Sequence, residues 1–101
     1  MAEVKSTAWQ TLLEKNAPEL LKDANMVRTS VLCDGALSLK TKTLMMLICD
    51  ALLAHSDGVA NIARRARSLG ASEAEITETV AVAFLMGGLP GLVTAASAFK
   101  S

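Results

Sequence analysis

Between Leu44 and Ala54 the chain is apolar on every side of a helix, with Asp50 as its single charge. A surface helix carries one apolar stripe and one polar face, whereas a helix that is apolar all round needs partners on every side. The stretch therefore predicts the central helix of an all-α bundle, running from about Ser38 to His55. The rest of the chain has to supply its cover. At 101 residues the chain is one domain with a modest interior. With 51% hydrophobic residues and a mean hydropathy of +0.38, it holds more apolar side chain than so short a globule encloses. Surplus apolar surface ordinarily goes into subunit contacts, so a homo-oligomer is expected.

The flanking segments also read as helices. Thr7-x-x-Gln10 is a capping box, followed by Trp9, Leu12 and Leu13 on one face and a stop near Asn16-Ala17-Pro18. Pro18 suits the first turn of a second helix, which carries Leu20, Leu21, Ala24, Val27 and Val31 at helical spacing. Asp34-Gly35 is a turn, so residues 1–33 form an N-terminal helix pair joined to the remainder without a flexible spacer. Ser56-Asp57-Gly58 is expected to break the central helix and to cap a fourth, Val59 to Leu69, with Gly70 at its C-terminal turn. Ser72-x-x-Glu75 is a second capping box, opening a helix with Ile76, Val80, Ala83 and Phe84 inward. Gly87-Gly88-Leu89-Pro90-Gly91 should kink it, and a last piece with Leu92, Val93, Ala96 and Phe99 follows. No alternating β-branched run suggests a strand. The fold class is all-α, a small bundle of five to six helices.

Composition excludes several functions. Ten basic and ten acidic residues cancel, and Trp9, Phe84 and Phe99 are the only aromatics, so no nucleic-acid surface is expected. Cys33 and Cys49 are too few and too far apart for a disulfide framework or a metal finger. Neither a metal nor a cofactor is expected. The N-terminal residues lack the apolar core of a signal peptide, and the central uncharged run, Leu44 to Cys49, is far short of a bilayer span. A cytoplasmic protein with reduced thiols and no membrane partner is expected.

A longer pattern runs from Gly35-Ala36-Leu37-Ser38 through Lys40-Thr41-Lys42-Thr43-Leu44, the apolar stretch, His55-Ser56-Asp57-Gly58, Ala63-Arg64-Arg65-Ala66 and Gly70-Ala71-Ser72-Glu73-Ala74-Glu75-Ile76. It ends with Val80 to Val93 and its glycines. This order of elements, over roughly residues 30 to 100, resembles the carboxymuconolactone decarboxylase family, which includes the alkylhydroperoxidase D-type peroxidases. The resemblance implies all-α subunits that assemble into trimers or hexamers with active sites at subunit contacts. In the peroxidase, peroxiredoxin-like branch a Glu works with a Cys-x-x-Cys-x-x-x-His motif. The matching positions here are Thr43 for the Glu, His55 and Gly58 for the cysteines, and Ile62 for the histidine. The decarboxylase branch resembles a lyase acting on a small carboxylated lactone. It keeps an acidic residue and a His near the positions of Gly58 and Ile62. The usual catalytic groups of both branches are replaced.

Several residues remain as candidates. His55, the single histidine, shares a helical stripe with Leu44, Ile48 and Ala51. Its ring should point inward near a helix C-terminus, either as an acid–base group or bonding the last carbonyls. Asp50 is either a carboxylate among Met and Leu side chains, suited to donate a proton, or the partner of an arginine, and the pairing is the favoured reading. Asp57 reads as a helix cap and as a further catalytic candidate. Arg64 and Arg65, with Thr43, are candidates for binding a ligand carboxylate. Cys49, mid-helix in an apolar setting, and Cys33, at a turn, are the redox candidates, and packing roles are the simpler reading for both. Three functions follow: a divergent family member that binds, decarboxylates or isomerises a small carboxylated molecule; a lone-cysteine peroxidase; and a non-catalytic oligomeric scaffold or sensor.

Overall fold

The structure, a computed structural model, describes residues 8–100. The chain divides into two compact units, with the boundary between Cys33 and Asp34. The predicted cap at Thr7 lies outside the described residues.

The first unit is a pair of helices, α1 (Ala8–Asn16) and α2 (Pro18–Val31). Pro18 opens α2 in the first turn, where its missing N–H costs nothing. Of the predicted apolar stripe on α2 only Leu21 is buried; Leu20, Val27 and Val31 are exposed. Arg28 lies over the ring of Trp9, 5.8 Å from its centroid, which ties the two helices by a cation–π contact.

The second unit holds α3 (Leu39–Leu52), α4 (Ser56–Ser68), α5 (Glu73–Ala95) and a closing 3-10 turn (Ala96–Phe99). No strand occurs among the described residues. Helix α3 packs on both α4 and α5, and the closing turn returns to α4. The buried stripe of α3 is Thr43, Leu47 and Ala51, four residues apart on one face. Met45, Cys49, Leu52 and Leu53 are exposed, so the chain covers α3 on one side and not all round as predicted. Around Leu47, Val59 and Ile76 the core is built largely of alanine: Ala51, Ala63, Ala66, Ala83, Ala95 and Ala98. Such small side chains let helices approach closely. Each of the three large residues contributes about 1.5–3 kcal/mol by leaving water.

Local chemistry sets the helix starts. The Ser38 hydroxyl accepts the Thr41 N–H at 3.0 Å, and Asp34 Oδ1 accepts the Leu39 N–H at 2.7 Å. At α5 the predicted capping box is present: Ser72 Oγ accepts the Glu75 N–H at 3.0 Å, and Glu75 Oε1 accepts the Ser72 N–H at 2.8 Å. A cap of this kind contributes about 1 kcal/mol. Glu75 also meets Lys40 Nζ at 3.0 Å, joining α5 to α3. The Ser72 N–H first, and Lys40 second, hold the Glu75 carboxyl below the usual carboxylate range.

The helix ends show one turn made by two different residues. After α4, Gly70 takes φ +96°, as predicted, while its N–H donates to Arg67 and that of Ala71 donates to Ala66. After α3, Ala54 does the same work at φ +62°, its N–H donating to Ala51 and that of His55 to Asp50. Both are Schellman turns, and a non-glycine residue carries the second.

Helix α5 breaks at Gly88 (φ +65°, ψ −159°), the predicted kink, and resumes with Pro90 in its new first turn. Gly87 gives room to the Leu52 side chain, and a Cβ on Gly91 would stand 2.9 Å from the Ala83 carbonyl oxygen. Ile76, Val80 and Ala83 face the core as predicted, whereas Phe84 points outward, because Ala83 takes the facing position on that turn. Residues 79–99 carry no charge. By length and hydropathy, 1.8 in its most apolar window, the segment 73–99 could cross a bilayer, yet a third of that window is buried in the protein. This uncharged run is longer than the Leu44 to Cys49 stretch.

Candidate functional site

The turn between α3 and α4 assembles the site. Asp50 lies in the last turn of α3, and His55 is the N-cap residue of α4. The Schellman turn at Ala54 folds the His55 backbone N–H onto the Asp50 carbonyl at 2.9 Å. That fold places the imidazole beside the Asp50 carboxylate, with Nδ1 3.1 Å from Oδ1. A carboxylate only accepts, so Nδ1 carries the proton in this contact and Nε2 is left as the second nitrogen. The His55 side chain is 58% exposed and that of Asp50 24%.

This geometry corrects three expectations. The His55 ring is neither inward nor bonded to the last carbonyls, because α3 ends at Leu52 and the turn re-aims the ring toward solvent. Asp50 pairs with His55 and not with an arginine: Arg64 Nη2 donates to Asn61 Oδ1 at 2.7 Å, and Arg67 binds Glu73 through two bonds of 2.7 and 3.0 Å. The Arg67–Glu73 pairing raises the guanidinium and lowers the carboxyl from their ordinary values, in both cases chiefly through the hydrogen bond. Asp57 does not cap α4. The helix begins at Ser56, one turn before the predicted Val59, so Asp57 is an exposed first-turn residue. There a negative charge is favoured by the helix dipole.

Gly58 completes the site. It sits in the first turn of α4, and a Cβ built on it would stand 3.4 Å from His55 Cβ and 3.0 Å from Asp50 Cγ, overlapping Asp50 Oδ2. The carboxylate thus occupies the space that any side chain at position 58 would need. Asp57, Asn61 and Arg64 follow at spacings of four and three, along one exposed face of α4. The helical rise puts Arg64 about 12 Å along the axis from Ser56. Arg65 is also exposed.

Thr43 is fully buried, and its hydroxyl donates to the Leu39 carbonyl at 2.7 Å, so it turns no group toward a ligand. Cys49 lies on the exposed side of α3, outside the apolar packing predicted for it, because the buried stripe runs through its neighbours Leu47 and Ala51. Cys33 is exposed at the end of α2, with its thiol 3.4 Å from the Ser30 carbonyl. Among the described residues, no cluster of His, Cys, Asp and Glu is arranged to hold a metal.

No curated protein sequence matches this one. The apo crystal structure of a carboxymuconolactone decarboxylase family protein from Legionella pneumophila superposes with a TM-score of 0.81 at 30% identity, covering 87% of this chain and 79% of that one. The sequence pattern of the carboxymuconolactone decarboxylase family matches residues 18–101, so the match starts at α2 and not near residue 30. With five α-helices among the described residues, its fold match and this span, the chain belongs to the carboxymuconolactone decarboxylase family.

Proposed function

We propose that the protein is an acid–base member of the family, which binds a small carboxylated molecule at a contact between subunits and decarboxylates or isomerises it. The hydrogen-bonded pair of Asp50 and His55, open to solvent on the ring side, carries this reading. Nε2 is the group that accepts a proton from carbon or, when the ring starts as imidazolium, gives its proton to the carbanion left when carbon dioxide departs. Asp50 orients the ring and stabilises the imidazolium that forms, the role a carboxylate plays behind a catalytic histidine. Arg64, with its neighbour Arg65, is the cation for the ligand carboxylate, and Asp57 is the exposed acidic residue of the first turn of α4. Because about 12 Å of helix separates Arg64 from the start of α4, a short ligand would meet an arginine from an adjacent copy. The exposed Met45 and Leu53 of α3, and Val82, Leu85, Met86, Leu89 and Val93 of α5, support assembly into a trimer or hexamer. The compartment that fits this reading is the cytoplasm.

Incubation with a panel of small carboxylates in deuterium oxide tests the proposal. Isotope exchange or carbon dioxide release that disappears in His55→Gln supports it, and activity undiminished in that variant overturns it. Binding seen as a melting shift, without any turnover, would leave the scaffold or sensor reading. Exposure of Cys33 and Cys49 is the one observation that favours a lone-thiol peroxidase, and peroxide consumption lost in Cys49→Ser or Cys33→Ser would establish it.

A further inference from the structure

We infer that Gly58 is the residue that sets the chemistry of this site, by leaving the seat in which the Asp50 carboxylate orients His55. Asp50 is then a positioning residue acting through the ring. Three observations converge. The virtual Cβ of Gly58 overlaps Asp50 Oδ2 and stands 3.0 Å from Cγ, so a side chain here displaces Oδ2 outright and crowds the carboxyl carbon behind it. That carboxylate is the one hydrogen-bonded to His55 Nδ1 at 3.1 Å. Finally, Gly58 lies within α4 and has no positive φ, so its backbone does not require glycine. Glycine inside a helix costs stability relative to alanine. The space over its Cα is what the glycine supplies.

A side chain at position 58 and a carboxylate beside His55 therefore exclude each other. With the seat open, the carboxylate fixes the proton on Nδ1 and presents Nε2 as the base. With the seat filled, Asp50 swings away and the ring loses its fixed tautomer. The functional consequence rests on the acid–base reading above, whereas the seat itself rests on geometry alone.

The test uses the single histidine as its own reporter. In full-length protein labelled with ¹⁵N in the imidazole, long-range proton–nitrogen correlation spectra under alkaline conditions distinguish the two neutral tautomers. Wild type is expected to show mainly the Nδ1–H form. Gly58→Ala and Asp50→Ala are each expected to invert the ratio toward Nε2–H, and the double variant should match Asp50→Ala alone. An unchanged ratio in Gly58→Ala overturns the inference. If Gly58→Ala fails to fold, recovery of the fold on adding Asp50→Ala supports the overlap, and continued failure overturns it. A tautomer that responds as expected, with activity undiminished in His55→Gln, sinks the acid–base reading and leaves the seat standing. The converse result separates the two in the other direction.

Discussion

Replacing Ala54 by glycine should stabilise the protein, although Ala54 is exposed and the change removes a methyl group. Ala54 holds φ +62°, a region where an L side chain crowds the backbone at a cost of about 1–2 kcal/mol, and glycine pays none of it. Against that gain stands the greater chain entropy that glycine gives the unfolded state, about 0.5–1 kcal/mol. The difference is about 0.5–1 kcal/mol, or about 2–8 °C in melting temperature for a chain of this size. The turn at Gly70 supplies the mirror experiment. It has the same pair of backbone bonds, a φ of +96° and no atom within 4 Å of a would-be Cβ, so Gly70→Ala should lower the melting temperature through backbone strain alone. Thermal unfolding followed by circular dichroism measures both. A melting temperature that falls, or fails to move, in Ala54→Gly would refute the assignment of strain to this turn. Since Ala54 directly precedes His55, the assay should be paired with the ¹⁵N tautomer spectrum, which is expected to keep its Nδ1–H form.

Other outcomes are expected. His55→Gln should leave the melting temperature within about 4 °C, because the exposed ring caps no helix, and surface changes of this kind are usually worth under about 0.5 kcal/mol. Glu75→Gln should flatten the acid side of the stability profile. The native carboxyl is held below its unfolded value, so its stabilisation is present above the ordinary carboxylate range and is lost as pH falls from that range through the lower native value; equal acid sensitivity of wild type and variant in urea titrations at several pH values would contradict this. Leu47→Ala, at a fully buried site, should cost about 2–5 kcal/mol in chemical denaturation. Light scattering at micromolar concentration should give a mass several times that of the chain, and a clean monomer would end the subunit-contact reading.

Legibility in the sequence followed locality. The starts at Pro18 and Ser72, the turn at Gly70 and the break at Gly88 were readable because each rests on residues within a few positions of one another. The site was less so. Continued as a helix, Asp50 and His55 would stand about 140° apart, since five steps of about 100° separate them. Only a turn with positive φ at residue 54 brings them together, and alanine carries no signal for that conformation. Gly58 looked like punctuation in Ser56-Asp57-Gly58, because its role depends on a carboxylate eight residues earlier. Phe84 and Cys49 were placed inward from apolar context alone, and the structure shows that the alanines and leucines beside them take the inward positions.

The break in α5 also bears on how such a chain would be sorted. A translocon reads hydrophobic length, and residues 79–99 pass that reading without a single charge. Lipid, however, offers no partner for an unpaired amide, which costs several kcal/mol there, so an interrupted helix needs neighbouring protein to satisfy its freed backbone groups. Gly88 thus makes the segment expensive to insert while allowing it to fold back on itself. Because α3 and α4 precede α5 in the chain, its packing surface already exists when the apolar segment emerges, and burial in protein competes with the bilayer from the start.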